Sequence, residues 1–253
     1  MDPRWKDPLI KARGAVFRLL HPEKPRYDCP VCHYSGPFMD ANDQTGFRVD
    51  AKCPSCSSLE RHRLQWLALE ALPERHRFSA MHILHFAPEP AMKRRLQAIF
   101  GQYHSADLLD PCVDYRVDLR MLPFRAASFD VVFASHVLEH IKEDDLALIE
   151  IRRILRPGGF AVLPVPVVNA TTVEYAEPNP HEWGHVRAPG LDYFDRYLRH
   201  FSRVRKYLSS EFDPIHQPFV FEDRTRWPTP EYPFRQTSTG IKHEDVVPVG
   251  YVS

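Results

Sequence analysis

Four of the five cysteines fall in two close pairs, Cys29-Pro-Val-Cys32 and Cys53-Pro-Ser-Cys56, with the spacing Cys-x2-Cys-x20-Cys-x2-Cys. A tetrahedral zinc ion takes four soft ligands, and two short pairs deliver them at little loop-closure cost. Each pair sits on a tight proline-containing turn whose backbone amides can bond the thiolates. Disulfides are the competing use. An odd cysteine count and a start, Met1 to Asp7, without the apolar stretch of an export signal weigh against them. A redox Cys-x-x-Cys accounts for one pair and not for two. The residues therefore predict one structural zinc on Cys29, Cys32, Cys53 and Cys56. Cys112, beside Pro111, reads as a free thiol without a special role.

Histidine and glutamate form the other reactive groupings. His181-Glu182-Trp183-Gly184-His185 fits His-Glu-x-x-His, and His136-Val137-Leu138-Glu139-His140 fits His-x-x-Glu-His. Both are metalloprotease spacings, and both need a helix to bring the two imidazoles to one face. Pro178, Pro180 and Gly184 argue against a helix at the first, and the second begins at the end of a buried apolar strand. A zinc metalloprotease is thus a remote alternative. Imidazole titrates near neutral pH, so His136, His140 and His185 are the candidate bases.

The elements that must position these groups follow from the pattern of the chain. Residues 27–57 form the ribbon, with turns at Gly36, Pro37 and Gly46. A short helix fits Leu9 to Leu20. Ser57-Ser58-Leu59-Glu60 predicts a capping box, opening a helix that carries Leu64, Leu67, Ala68 and Ala71 and stops before Pro73. The Glu60-Arg61-His62-Arg63 stretch reads as a solvated face or a bridge to the next domain, ahead of a binding patch. From residue 80 onward strands alternate with helices: Met81–Phe86, helix 91–100, Tyr103–Leu108, Tyr115–Leu119, Phe129–Ala134, helix 146–155, then a stop at Arg156-Pro157-Gly158-Gly159 and a strand over 160–168. That alternation implies an α/β fold with a parallel sheet and right-handed crossovers. A helix from Leu191 with Phe194 and Leu198 on its core face would close a pocket. Its arginines, with Arg187 before it, read as a solvated face, or as contacts to an anionic acceptor.

Composition bounds the rest. The 253 residues carry 33 Lys+Arg against 33 Asp+Glu, with 43% hydrophobic and 26% charged residues, in the globular range. Zero net charge argues against bulk electrostatic binding of nucleic acid, so RNA as a partner is not indicated by charge. No apolar run reaches the ~20 residues that span a bilayer. The expectation is a cytoplasmic protein with no membrane partner. Pro outnumbers Gly 24 to 10, which favours stiff loops, and the role of the proline-rich residues 209–240 stays open.

Four elements occur in order after residue 121: Leu-Pro-Phe (122–124), Ser-Phe-Asp-Val-Val (128–132), Val-Leu-Glu-His (137–140) and Arg-Pro-Gly-Gly (156–159). With the strands around them, over roughly residues 81–168, they closely resemble the class I S-adenosylmethionine-dependent methyltransferases, the type-11 group in particular. The four-cysteine ribbon followed by Leu-Glu-Arg-His-Arg also looks like a bacterial subgroup of these proteins. The resemblance implies a Rossmann-like methyltransferase sheet with helices on both faces, over residues 76–253, behind an N-terminal zinc ribbon and connecting helix, residues 1–75. It implies that Phe86, Ala87, Pro88 and Glu89 cradle the methionine and ribose end of the cofactor. Asp107, which lies 22 residues after His85, would accept the ribose hydroxyls. Asp118 and the backbone of Leu119 would hold the adenine, and Ser135 and His136 would face the sulfonium. Gly184-His185-Val186-Arg187 resembles a segment lying over the acceptor site.

One departure stands out. The family's first loop is acidic-x-Gly-x-Gly-x-Gly, and here His85-Phe86-Ala87-Pro88-Glu89-Pro90-Ala91 lacks the acid and all three glycines. Glu89 could offset lost backbone contacts to the cationic sulfonium. The expected function is methyl transfer from S-adenosylmethionine to an unidentified acceptor, with His136 and His185 as catalytic candidates. The alternative is a non-catalytic zinc-containing scaffold or RNA-binding protein on a degenerate methyltransferase fold.

Overall fold

The computed structural model describes residues 8–43, 46–229 and 231–253. The chain divides into two compact units. The first gathers Met1–Leu72, Pro90–Ala98 and Leu208–Asp245; the second gathers Pro73–Glu89, Ile99–Tyr207 and Val246–Ser253.

The first unit opens with helix α1 (Pro8–Leu20) and holds three antiparallel ladders: Tyr27–Asp28 with Ser35–Gly36, Met39–Asp43 with Gly46–Lys52, and Val220–Asp223 with Gln236–His243. Gly46 also bridges Arg235, and Thr237 Oγ1 donates to the Phe47 carbonyl at 3.3 Å. Helix α2 (Glu60–Glu70) follows the second cysteine pair, and nine-tenths of helix α3 (Pro90–Ile99) groups with this unit.

Two expectations for α2 are corrected. Its N-cap is Leu59, without a side-chain cap; the Leu59 N–H donates to His62 Nδ1 at 3.0 Å. Ser57 adopts φ +63° as the last residue of the cysteine turn, which takes it out of capping geometry. Nor is the charged stretch solvated. Glu60, His62 and Arg63 are buried, Arg63 completely, because its guanidinium is consumed by backbone carbonyls.

In the second unit seven strands form one mixed sheet: β1 (His82–Phe86), β2 (Gln102–Asp107), β3 (Tyr115–Arg116), β4 (Phe129–Ala134), β5 (Leu155–Val162), β6 (Arg203–Leu208) and β7 (Val246–Tyr251). Their spatial order is β6-β7-β5-β4-β1-β2-β3. The run β3-β2-β1-β4-β5 is parallel and Rossmann-like, and β7 pairs antiparallel with β5. Ile83, Leu84, Val131, Val132, Phe133, Phe160, Ala161 and Val162 have at most 0% exposure, as strands covered on both faces require.

Helix α4 spans Asp144–Ile154, and β5 begins at once with Leu155. The helix stops ahead of Arg156–Gly159, as expected, but these residues form a bulge inside β5 and not a break before it: the β4 partner of Leu155 is Phe129, whereas that of Phe160 is Val131. Gly158 takes φ +75°, and a Cβ on Gly159 would sit 2.7 Å from the Asp130 carbonyl oxygen. The expected helix from Leu191 is two 3₁₀ turns, Leu191–Asp195 and Tyr197–Arg199. A three-residue period puts Phe194 and Tyr197 in the core and leaves Leu198 56% exposed.

Candidate functional site

The four clustered cysteines lie on two matching turns. Cys29 N–H donates to the Tyr34 carbonyl and His33 N–H to the Cys29 carbonyl, both at 2.8 Å. Cys53 N–H and Ser57 N–H repeat the pattern on the Ser58 and Cys53 carbonyls, both at 2.9 Å. His33 and Ser57, each following its second cysteine, both take φ +63°. The sulfurs of Cys29 and Cys56, and those of Cys32 and Cys53, stand 3.7 Å apart. Sulfurs about 2.3 Å from a common metal ion in a tetrahedron stand about 3.8 Å apart, so the cluster has the size of a metal site. Disulfide bonds of about 2.05 Å do not fit these separations.

Hydrogen bonding to Cys29 raises the Cys32 thiol, and burial raises Cys53. Burial also acts to raise Cys29, but hydrogen bonds from the other three thiols hold it well below the ordinary thiol range. Ser58 Oγ lies 3.3 Å from Cys29 Sγ and 3.1 Å from Cys56 Sγ. Cys112 is exposed and stands apart.

The second constellation lies along the carboxyl edge of β4-β1-β2-β3. Phe86 is in register with Ala106 on β2 and with Ala134 on β4, so these three strands end flush. Phe86–Glu89 leave β1, Asp107 ends β2, Asp118 and Leu119 follow β3, and Ser135 and His136 follow β4. β1 and β4 flank the point where the strand order reverses, the place where open α/β sheets bind ligands.

Ala87 takes φ +46°, with its N–H on the Ala106 carbonyl at 2.9 Å. The left-handed turn that glycine usually supplies is therefore present without glycine. His136 takes φ +55°, its N–H donating to the Pro164 carbonyl at 2.9 Å. Asp107 Oδ1 accepts from the N–H groups of Leu109 and Asp110 at 2.7 and 2.8 Å, which fixes the carboxylate at the strand end. Asp118 receives Arg120 through Nε and Nη2, and these bonds hold its carboxyl below the usual range. Leu119 and Ser135 are buried.

A third grouping joins both histidine motifs. Leu138–His140 is a single 3₁₀ turn, and Glu139 within it has no exposed surface. Its Oε1 is 3.3 Å from His136 Nδ1 and 3.9 Å from His185 Nε2. The rings of His140 and His185 meet edge-on with centroids 4.7 Å apart. His181 and His185 do not share a helix: residues 180–182 form a 3₁₀ turn, Trp183 is left-handed, and His185 opens the strand His185–Ala188. Glu182 turns instead to Tyr175 and Asn179, at 2.5 and 2.9 Å. The residue that spacing alone did not single out is Arg187, expected on a solvated face and found 1% exposed. It donates to the carbonyls of Leu138, Ile141 and Lys142 at 2.9, 2.6 and 3.0 Å, and pairs with Glu174. Its advance signal was its place two residues after His185, in the segment that resembles one lying over the acceptor site.

Residues 70–163 match the type-11 family model described as a methyltransferase domain. An uncharacterized 37.1 kDa protein from a transposon of Streptomyces fradiae is 35% identical over 68 residues, 26% of this chain and 20% of that protein. The reducing polyketide synthase Preu2 of Preussia isomera is 42% identical over 64 residues, 24% of this chain and 3% of the synthase. This chain thus spans a fifth or less of the curated relatives it matches. Among solved structures, an S-adenosylmethionine dependent methyltransferase from Mesorhizobium loti aligns at TM-score 0.47 and 17% identity, covering 74% of this chain and 97% of that one. The YcgJ protein of Bacillus subtilis aligns at TM-score 0.45 and 12% identity, covering 76% and 99%. Among the described residues, no helix is long and apolar enough to cross a membrane.

Proposed function

We propose that this chain, whose residues 70–163 match a methyltransferase-domain family model, transfers a methyl group from S-adenosylmethionine to an acceptor bound at the carboxyl edge of β4-β1-β2-β3, and that its cysteine cluster holds one structural zinc. The observation that carries the reading is the left-handed backbone at Ala87, which keeps the first loop in the turn that lets a ligand approach β1 although the glycines are gone.

When bound, the cofactor supplies an electrophilic methyl on a cationic sulfur. The chain's own residues do the rest. The backbone of Phe86–Glu89 holds the methionine and ribose end, and Glu89 adds a negative charge near the cation. Asp107, already oriented by two amides, accepts the ribose hydroxyls. Asp118 and Leu119 take the adenine. Ser135 and His136 border the transfer path, and His136 accepts the proton from the acceptor's nucleophilic atom. His185, 3.9 Å from the same Glu139 oxygen, closes the acceptor side. Alignment and exclusion of water account for most of the acceleration such a transfer needs.

One observation favours the scaffold reading instead: Arg120 bonds both oxygens of Asp118, the group assigned to adenine. Titration calorimetry with S-adenosylhomocysteine separates the two. Binding is expected, and Asp107→Ala should weaken it ten- to hundred-fold, about 1–3 kcal/mol. A chain that binds no S-adenosylhomocysteine is the scaffold.

A further inference from the structure

We infer that Glu139, His140 and His185 form a second metal site, separate from the thiolates, for a divalent first-row transition ion. Ligand atoms of these three side chains all lie within 4.8 Å of one another. Ligands about 2.0–2.2 Å from one ion stand roughly 3 Å apart, so closure needs the farthest ligand atoms to approach by up to about 2 Å. The donors are two imidazole nitrogens and one carboxylate oxygen. That set suits borderline divalent ions such as cobalt, nickel, iron and zinc, and leaves coordination positions open.

Two further observations support the assignment. Glu139 has no exposed surface, and three imidazoles, those of His136, His140 and His185, gather about it and its neighbour. A carboxylate oxygen set among imidazole nitrogens is a donor set that suits a divalent cation. The supporting frame is also in place. Arg187, two residues after His185, donates to the carbonyls of Leu138, Ile141 and Lys142, so one guanidinium locks the strand bearing His185 to the turn bearing Glu139 and His140. Ligands fixed before the ion arrives are what a metal site requires. His136, at 3.3 Å from Glu139 Oε1, orients the carboxylate from outside the ligand set and keeps its role beside the transfer path.

The site does not depend on cofactor binding, so it is tested on the full-length protein without one. The thiolates are loaded with zinc, loosely held metal is removed by dialysis, and cobalt(II) is titrated in while the visible spectrum is recorded. One equivalent should bind with the weak bands of nitrogen and oxygen ligands and no sulfur-to-cobalt charge transfer. His140 is exposed, so His140→Ala should fold normally and weaken binding at least about ten-fold, and His185→Asn should do the same. No uptake, uptake with sulfur charge transfer, or uptake unchanged in His140→Ala overturns the inference. S-adenosylhomocysteine binding on the same samples keeps the two readings apart: cobalt uptake without it sinks only the methyltransferase proposal, and the reverse result sinks only the metal site.

Discussion

Arg63 donates through Nε and Nη2 to the carbonyl oxygen of Gln217, at 3.0 and 2.8 Å, across 154 positions of chain. Its Nη1 meets the carbonyls of Ala51 and Ser58 at 2.9 and 3.0 Å, and its plane lies over the Phe38 ring at 4.5 Å. One buried cation thereby joins the end of a ribbon strand, the second cysteine turn and the segment after residue 208. Arg63→Met should take the guanidinium from three buried carbonyls, that of Ser58 keeping the Cys53 N–H, and destabilise the first unit by about 3 kcal/mol. Arg63→Lys should fare little better, since an ammonium cannot serve three divergent acceptors. Urea-unfolding midpoints of the three proteins check this; a Met variant with the parent's midpoint would dismiss the anchor.

Glu222 offers a pH dependence with a defined sign. It has no exposed surface and bonds Arg224 Nε at 2.7 Å and Arg235 Nη1 at 2.8 Å. Burial alone would raise its carboxyl, but the charges of Arg235, Arg224 and Arg48 outweigh that and hold it below the usual range. A lowered native value stabilises the fold above the unfolded-chain value of about 4.3, and that share is lost as pH falls through the native value. Glu222→Gln should cost about 3 kcal/mol at pH 7, with the gap to the parent closing as pH drops below 4. Equal gaps at pH 7 and pH 3.5 would show that the carboxylate charge is not what holds the arginines.

How far the residues alone reach differs between these sites. The cysteine turns were legible because two local motifs, each closed within five residues, fix the ligands. The strands β1 and β4, and the Phe160–Val162 end of β5, were legible because burial on both faces demands continuous apolar runs. What could not be read is long-range. Nothing local to Arg63 announces that Gln217 will accept from it, so a charged stretch looks solvated when its partners are carbonyls far along the chain. Arg187 was misread for the same reason. The Arg156–Gly159 bulge escaped because Pro-Gly-Gly signals a turn without saying whether the turn lies before a strand or within one. At Ala87 the lost glycines left cofactor binding by the first loop open, and the backbone takes the left-handed conformation at alanine.

The thiolate cluster predicts a metal count. Protein purified without added metal and dialysed free of loosely held ions should carry zinc at one equivalent on Cys29, Cys32, Cys53 and Cys56, and Cys53→Ser should release it and loosen the ribbon. Elemental analysis alongside near-ultraviolet circular dichroism reads both. Zinc that stays after Cys53→Ser would place the ion elsewhere.

Ala87 tests the first loop directly. An L residue in the left-handed region costs about 1–2 kcal/mol, which glycine avoids and a β-branched residue increases. Ala87→Gly should therefore raise stability by up to about 1 kcal/mol while S-adenosylhomocysteine still binds. Ala87→Val should destabilise the second unit and weaken that binding at least about ten-fold, through loss of the turn. If valine is accepted with neither effect, the turn at φ +46° is no part of a binding loop.

The last prediction concerns the frame around Glu139. Arg187 reaches three carbonyls in the span 138–142 and is also paired with Glu174 at 3.0 Å and Asp144 at 3.4 Å. A planar guanidinium can meet these diverging acceptors together, whereas an ammonium on a flexible stem offers one point of charge. Arg187→Lys keeps the charge, so the carboxylates keep their counter-ion, and what is lost is geometry. The turn Leu138–His140 should then open more often than the sheet behind it, because its anchoring bonds are gone while Val131–Phe133 stay packed. Hydrogen exchange should show faster exchange at the amides of His140 and Ile141, whose N–H groups bond the Val137 and Leu138 carbonyls at 3.1 and 3.2 Å, with β4 unchanged. Acceleration spread evenly over the whole second unit would mean that Arg187 serves general stability, and no acceleration would mean that the turn holds itself.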